Sequence, residues 1–301
     1  MVTTIDVIER TSEPPRLRVL ARVRELYAHR EILLNLVRKE LKVKYAASVL
    51  GAIWSLLNPV VFLGVFTFVS FALDNNVPNY PVYLLSGLLA WNLFSTSVTQ
   101  GARSVIDNAN LVKKVYFPRE ILPLSQIGVA LVDFVLQTLV LLLLMIATGY
   151  DFRVGTLALW PLAFFTLLVF TVAMSFWLSA MNVRYRDIQH LLNLGLLVWF
   201  WFTPIVYASH FVQEKLAAYQ PFGFTSFYLY LLNPLASIVV GFQRALYGVV
   251  TPQGASEPVL VQVSVGWVAT ILAGVALGSV VLLWSTWRTF FRLSGDFAEE
   301  L

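Results

Sequence analysis

No cysteine occurs in the 301 residues. Disulfides, thiolate catalysis and cysteine-ligated metals are therefore excluded. Histidine is nearly as scarce: His29, His190 and His210 lie far apart and make no metal-ligand spacing. Charged residues make up 13% of the chain, where a water-soluble domain carries about 25%. No glycine is followed by lysine, so the phosphate-cradling G-x-x-x-x-G-K-[ST] loop is absent and the chain has no nucleotide-driven engine of its own. The acids Asp74, Asp151, Glu214 and Glu257 fall on separate connections, which gives no paired-carboxylate site. The first 30 residues hold Arg and Glu but no apolar signal-peptide core, so no cleaved leader is expected.

What is present is apolar. Hydrophobic residues make up 58% of the chain, and the mean hydropathy is +0.74. This is an integral membrane protein, and its long uncharged runs read as helices in an all-α fold. A spanning helix needs about 20 mostly apolar residues. Six segments qualify, near 54–73, 82–102, 122–148, 157–181, 190–208 and 260–284. Lys and Arg fix their orientation. Eighteen of the 21 lie before Trp54, within 103–120, at Arg184 and Arg186, or at Arg288 and Arg292. Only Arg153, Lys215 and Arg244 fall on the other side. The positive-inside rule then places both termini in the cytoplasm. It also accounts for the pI of about 9.3 without a nucleic-acid partner. Residues 216–243 are uncharged, yet Pro221, Gly223 and Pro234 interrupt them. A seventh span there would move Arg288 and Arg292 outside. An external re-entrant helical hairpin between spans five and six fits better; the other reading is an external loop with interfacial helices.

Residues 1–24, with Pro14-Pro15, read as a mobile tail, and 25–53 as an amphipathic helix and its junction to a membrane domain over 54–301. Leu26, Leu33, Val37 and Leu41 make one helical face, with Arg30, Arg38, Lys39 and Lys42 mostly away from it. Such a helix lies in the cytoplasmic interface as an anchor. No charge follows Lys44 until Asp74, so the chain passes there from surface to membrane. Asp133 is the single ionisable residue deep in an expected span, with Gln137 one turn later. A carboxylate at that depth costs about 3 kcal/mol on insertion scales and must face protein or water. A hydrogen-bonded contact between helices and a polar site on a translocation path are the two readings. Gly274-x-x-x-Gly278 in the last span reads as close helix packing. Aromatics crowd at Trp199-Phe200-Trp201-Phe202 and Tyr207, then at Phe222, Phe224, Phe227, Tyr228 and Tyr230. Four in a row cannot share one face of a helix, so some point inward.

Several motifs occur in a fixed order: Arg38-Lys39-Glu40-Leu41-Lys42-Val43-Lys44-Tyr45, Ser48-Val49-Leu50-Gly51, Trp54-Ser55-Leu56-Leu57-Asn58-Pro59, Tyr116-Phe117-Pro118-Arg119-Glu120-Ile121-Leu122-Pro123, Arg184-Tyr185-Arg186-Asp187, Phe202-Thr203-Pro204-Ile205-Val206-Tyr207 and Leu232-Asn233-Pro234. In these the chain resembles the permease subunit of polysaccharide ABC exporters, the type-2 ABC permeases that move O-antigen, teichoic acid and capsule precursors. The likeness runs from about residue 30 to the end and leans toward actinobacterial members whose cargo is lipid-linked galactan. Lys44 and Glu40 stand where the family usually has Arg and Asp.

The resemblance implies a multi-pass protein of a bacterial inner membrane, working as a homodimer with two ABC ATPase subunits. ATP and Mg would be bound by that partner, and this chain would need no cofactor. A coupling helix near 104–116 would meet the ATPase through Asp107, Asn108, Asn110, Lys113 and Lys114. A channel at the dimer interface would be lined by aromatics of the first and fifth spans, here Phe62, Phe66, Trp199, Phe200, Trp201 and Tyr207. The cargo would be a polyprenyl-diphosphate-linked glycan, its head group meeting Lys42, Lys44, Arg184 and Arg186. Two other classes stand beside this one. A membrane glycosyl- or acyltransferase needs a carboxylate or histidine site. An ion-coupled secondary transporter needs several intramembrane ionisable groups and repeated halves.

Overall fold

The computed structural model describes residues 19–46, 53–72, 77–150, 154–217, 230–251, 259–260 and 263–301. The described residues are helical and contain no strand. In chain order the helices are α1 (Val19–Ala28), α2 (Arg30–Tyr45), α3 (Ile53–Ala72), α4 (Tyr80–Asp107), α5 (Ala109–Lys114), α6 (Ile121–Ala147), α7 (Val154–Leu157), α8 (Leu159–Arg184), α9 (Ile188–Trp201), α10 (Ser209–Ala217), α11 (Pro234–Leu246), α12 (Val265–Leu293) and α13 (Phe297–Glu300). The motif Ser48-Val49-Leu50-Gly51, the acids Asp74, Asp151 and Glu257, Arg153, and the aromatics Phe222, Phe224, Phe227 and Tyr228 lie outside the described residues. So do residues 218–229 of the expected hairpin.

Among the described residues, four helices are long and apolar enough to cross a membrane: Tyr80–Asp107, Ile121–Ala147, Gly155–Arg184 and Val265–Leu293. Their limits follow local chemistry. Pro81 opens α4 where its missing N–H is no loss. Gly149, at φ 62°, closes α6 as its backbone turns back on the last carbonyls. Ser264 caps α12 by accepting from the Trp267 amide. Several limits differ from those expected. Helix α12 runs past 284 to Leu293, so Arg288 and Arg292 lie within it. Helix α1 already begins within the supposed tail. Helix α4 runs on through Asp107, so the separate short helix is only α5, six residues long. Helix α9 stops at Trp201 instead of continuing to 208, because Pro204 cannot continue the hydrogen-bond ladder.

The centre of the bundle is α4, whose side chains are buried on nearly every face against α6, α8 and α11. It is also less apolar than its neighbours, with Ser86, Asn92, Ser97, Gly101 and Ser104 along it. Small residues let backbones approach where no hydrophobic drive exists between helices. A Cβ at Gly101 would sit 3.2 Å from Ser175 of α8, and Asn182 of α8 donates to the Ala102 carbonyl. Helix α4 therefore lies close against α8. The Gly274-x-x-x-Gly278 expectation is corrected: among the described residues, no other helix comes within 4 Å of the missing Cβ of either glycine. They open instead on a groove of about 590 Å³ lined by Phe170, Leu231, Leu232 and Ile271.

A second apolar cluster closes one end of the bundle. It joins Leu36 of α2, Val105 of α4, Val112 of α5, Ile121 of α6, Phe176 of α8, Phe290 of α12 and Phe297 of α13. Arg103, Lys113, Lys114, Arg119, Arg184 and Arg292 belong to the same elements or their flanks. This is the basic end.

Candidate functional site

At the basic end, Glu120 sits just before α6 with no exposed surface. Arg22 of α1 grips it through both carboxylate oxygens, at 2.8 and 2.7 Å, and the Trp287 indole of α12 donates at 3.1 Å. Three parts of the chain thus meet on one acid. Arg22 also pairs with Glu25 at 2.7 Å. Burial alone would lower the Arg22 pKa, but the hydrogen bonds and charge of Glu120, with Glu25 adding, raise it above its ordinary value. Sequence reasoning missed this cluster. Trp287 and Arg22 lie 167 and 98 positions from Glu120, and no periodicity links them.

Around this anchor lies the expected coupling segment. Helix α5 buries Val112 and exposes Asn110, Lys113 and Lys114. Asp107 ends α4 in a loose pair with Arg103 at 3.8 Å. Asn108 donates to the Ser104 carbonyl and receives Lys39 of α2 at 3.4 Å. Beyond α5, Tyr116 is 90% exposed, a large aromatic standing clear beside two lysines.

The four expected head-group residues are not gathered into one site. Lys42 is exposed on α2, Arg184 at the last position of α8 and Arg186 just after it. Arg184 stands 3.8 Å from Glu300 of α13. Lys44 is engaged: its ammonium lies 2.6 Å from Asp133, which also accepts from the Tyr45 hydroxyl at 3.1 Å. Helix α2 therefore lies along α6, and Gly128 makes the approach possible. A Cβ there would meet Val37 at 2.7 Å. One turn beyond Asp133, Gln137 accepts from Asn92 of α4 at 3.0 Å. Asp133 and Gln137 are thus both satisfied by neighbouring helices, as a membrane interior demands.

The aromatic candidates do converge. Phe62 and Phe66 of α3 stack at 5.7 Å. Phe62 lies 6.1 Å from Phe200, and Phe66 lies 6.5 Å from Trp201, both on α9. These separations fall in or near the range of favourable ring pairs. Consecutive residues of α9 then diverge. Trp199 turns inward between Phe94 and Phe170, its indole donating to Asn233 at 2.8 Å. Phe200 packs on Trp91 at 5.3 Å. Trp201 is 54% exposed, and Phe202 is exposed too.

Past α9 the backbone leaves the helix at Thr203–Tyr207, and its carbonyls are caught by side chains. Tyr83 donates to those of Pro204 and Tyr207, Tyr80 to that of Val206, and Gln243 of α11 to that of Pro204. Tyr207 itself donates to the Trp201 carbonyl at 2.9 Å and lies 3.3 Å from the Tyr230 hydroxyl. Irregular backbone within a membrane bundle persists only when its polar groups are satisfied like this. Helix α11 beside it is 13 residues of almost wholly buried chain, capped by Asn233. No group of three His, Asp or Glu side chains able to hold a metal ion occurs among the described residues.

Comparison with known proteins adds the family. Residues 32–247 match the family described as ABC-2 type transporter. A Myxococcus xanthus protein named O-antigen export system permease protein RfbA is 34% identical over 280 residues, 93% of this chain and 98% of its own. Two Klebsiella pneumoniae proteins of the same name are each 31% identical, over 214 and 217 residues, covering 71% of this chain and 79% of theirs.

Proposed function

This chain belongs to the ABC-2 type transporter family, and on that footing we propose that it is the membrane permease of an ATP-driven exporter of lipid-linked, O-antigen-type polysaccharide. It is a transport subunit and not an enzyme, and it resides in the inner membrane as a multi-pass protein. Two copies, each with six spans and both termini in the cytoplasm, work with two ATPase subunits that bind ATP and Mg. The basic end then faces the cytoplasm, where α5 meets the ATPase. The re-entrant region of which α11 is part faces outside.

The observation that carries the reading is the meeting of Phe62, Phe66, Phe200 and Trp201 from two helices that few other contacts hold to the bundle. Flat aromatic faces stack on sugar rings without demanding one hydrogen-bond pattern. A polymer of repeating sugars slides over such a surface, whereas a polar lining would hold it. The diphosphate of a polyprenyl carrier, of galactan type in the narrowest reading, meets cations at the basic end, where Arg184 and Arg186 are exposed, with Lys42 exposed farther along α2. A secondary transporter is expected to carry several intramembrane ionisable groups and repeated halves, whereas Asp133 is the single such group deep in an expected span.

The test is reconstitution of the chain in liposomes with and without a candidate ATPase. Delivery of lipid-linked glycan to the far side is expected only with the ATPase and ATP. Delivery at the same rate without the ATPase would overturn the reading. Trp201→Ala, at an exposed position, is expected to slow delivery several-fold while the ATPase remains bound. Unchanged delivery would remove the aromatic surface from the path.

A further inference from the structure

We infer that residues 294–301 form the second half of the surface that meets the ATPase, and that Phe297 sets the pose of α5 within it. This rests on the reading that a separate ATPase docks at the basic end.

Helix α5 cannot hold itself. Isolated helices shorter than about 12–15 residues are marginal in water, and α5 has six, with Val112 its one buried side chain. Its pose must come from what Val112 packs on. Helix α13 lies directly against α5 and α8. Phe297 is 1% exposed in the same cluster as Val112, and it meets Phe290 of α12 edge-to-face at 5.5 Å. Arg119, between α5 and α6, donates to the Ser294 carbonyl and lies 5.9 Å over the Phe297 ring. Glu300 reaches Arg184 at the end of α8. The short segment after α12 is thereby fastened to α8, α12 and the α5–α6 connection together. A push on α5 passes through Phe297 into the last span as well as directly into α4 and α6.

The outward side of this composite has a definite chemistry. Asn110, Lys113, Lys114, Val115 and Tyr116 are exposed beside α5, and Asp296, Glu299 and Glu300 on or beside α13. An exposed aromatic ringed by charge is the usual form of an interface anchor. The fitting partner surface offers an apolar slot for Tyr116, acids facing the two lysines and a basic group facing Glu299.

The test uses the assembled permease–ATPase complex in liposomes, reading ATP hydrolysed per glycan delivered. Phe297→Ala is expected to keep the subunits together while that ratio rises about two- to thirtyfold, the span that altered coupling along a packed path produces. Phe297→Leu, which keeps apolar volume, is expected to restore the wild-type ratio. A ratio unchanged in Phe297→Ala, with hydrolysis and delivery falling together, would reduce the residue to a stability role. The exposed Glu299→Lys is expected to weaken ATPase capture several-fold at low salt, and unchanged capture would remove α13 from the docking surface. If the wild-type chain captures no ATPase, the underlying reading fails. If it does and both variants behave as wild type, this inference alone fails.

Discussion

Glu120 and Asp133 are both carboxylates held by cations, yet their settings differ. Glu120 has no exposed surface, and the side chain of its partner Arg22 is 14% exposed. Lys44, facing Asp133, is 35% exposed. Removing one member of a buried pair leaves an uncompensated charge, at a cost of about 3–5 kcal/mol. Lys44 gives Asp133 one hydrogen bond where Arg22 gives Glu120 two, and a single bond to a charged group is worth about 1.5–3 kcal/mol. Arg22→Ala is therefore expected to lower thermal stability in detergent more than Lys44→Ala does. Equal losses would show that the Glu120 cluster is more hydrated than its geometry indicates. The sequence revealed one of these acids and hid the other for the same reason. Asp133 stands out because it interrupts an apolar run. Glu120 sits among Arg119, Pro118 and Lys114, where a charge looks ordinary. Its burial arises only when α1 and α12 fold over it.

At the scale of elements, the stops of helices were the least legible feature. Proline and glycine mark positions where a helix can end, but tertiary partners decide whether it does. Pro123 and Pro161 lie in the first turns of α6 and α8 and break nothing. Pro204 does end a helix, because Tyr80, Tyr83 and Gln243 wait to receive the freed carbonyls. Nothing near 204 in the chain signals those partners, which lie more than a hundred positions earlier or some forty later. Tyr83→Phe removes the donor to two of these carbonyls while keeping the ring. Gln243 still serves the Pro204 carbonyl, so the Tyr207 carbonyl is the one that loses its donor, and an acceptor left buried without a partner costs about 1–3 kcal/mol. The variant is expected to lose that much stability and to expose a protease site near 203–207 on limited digestion. Retention of full stability would show that the remaining donors suffice. The glycine pattern in α12 misled for a related reason. Small residues permit a close approach, but a partner must be present, and on this chain that partner serves α4 and α8.

For the whole molecule, the proposed homodimer raises the question of which apolar face would meet a second copy. Exposed apolar residues alone do not decide it, because lipid covers them in a bilayer. Helix α12 shows such a face at Leu277, Val280 and Val281, and α6 shows one at Val135, Leu139 and Leu143. What distinguishes α3 and α9 is slight attachment to their own bundle, together with aromatics on the open side. Along α9 the exposed positions Leu191, Leu194, Val198 and Trp201 form a single stripe at helical spacing. In a two-fold dimer, a residue near the axis meets its own copy. The absence of native cysteine makes this directly measurable, since any disulfide must come from an introduced residue. Cysteine placed singly at those four positions is expected to give a cross-linked dimer at one or more of them on mild oxidation in membranes. Leu277→Cys, at a position 70% exposed against 62% for Leu194, is expected to stay monomeric on a denaturing gel. Cross-linking at 277 with none along α9 would move the subunit contact to α12. The aromatic surface of α3 and α9 would then face lipid, and the channel would have to lie elsewhere.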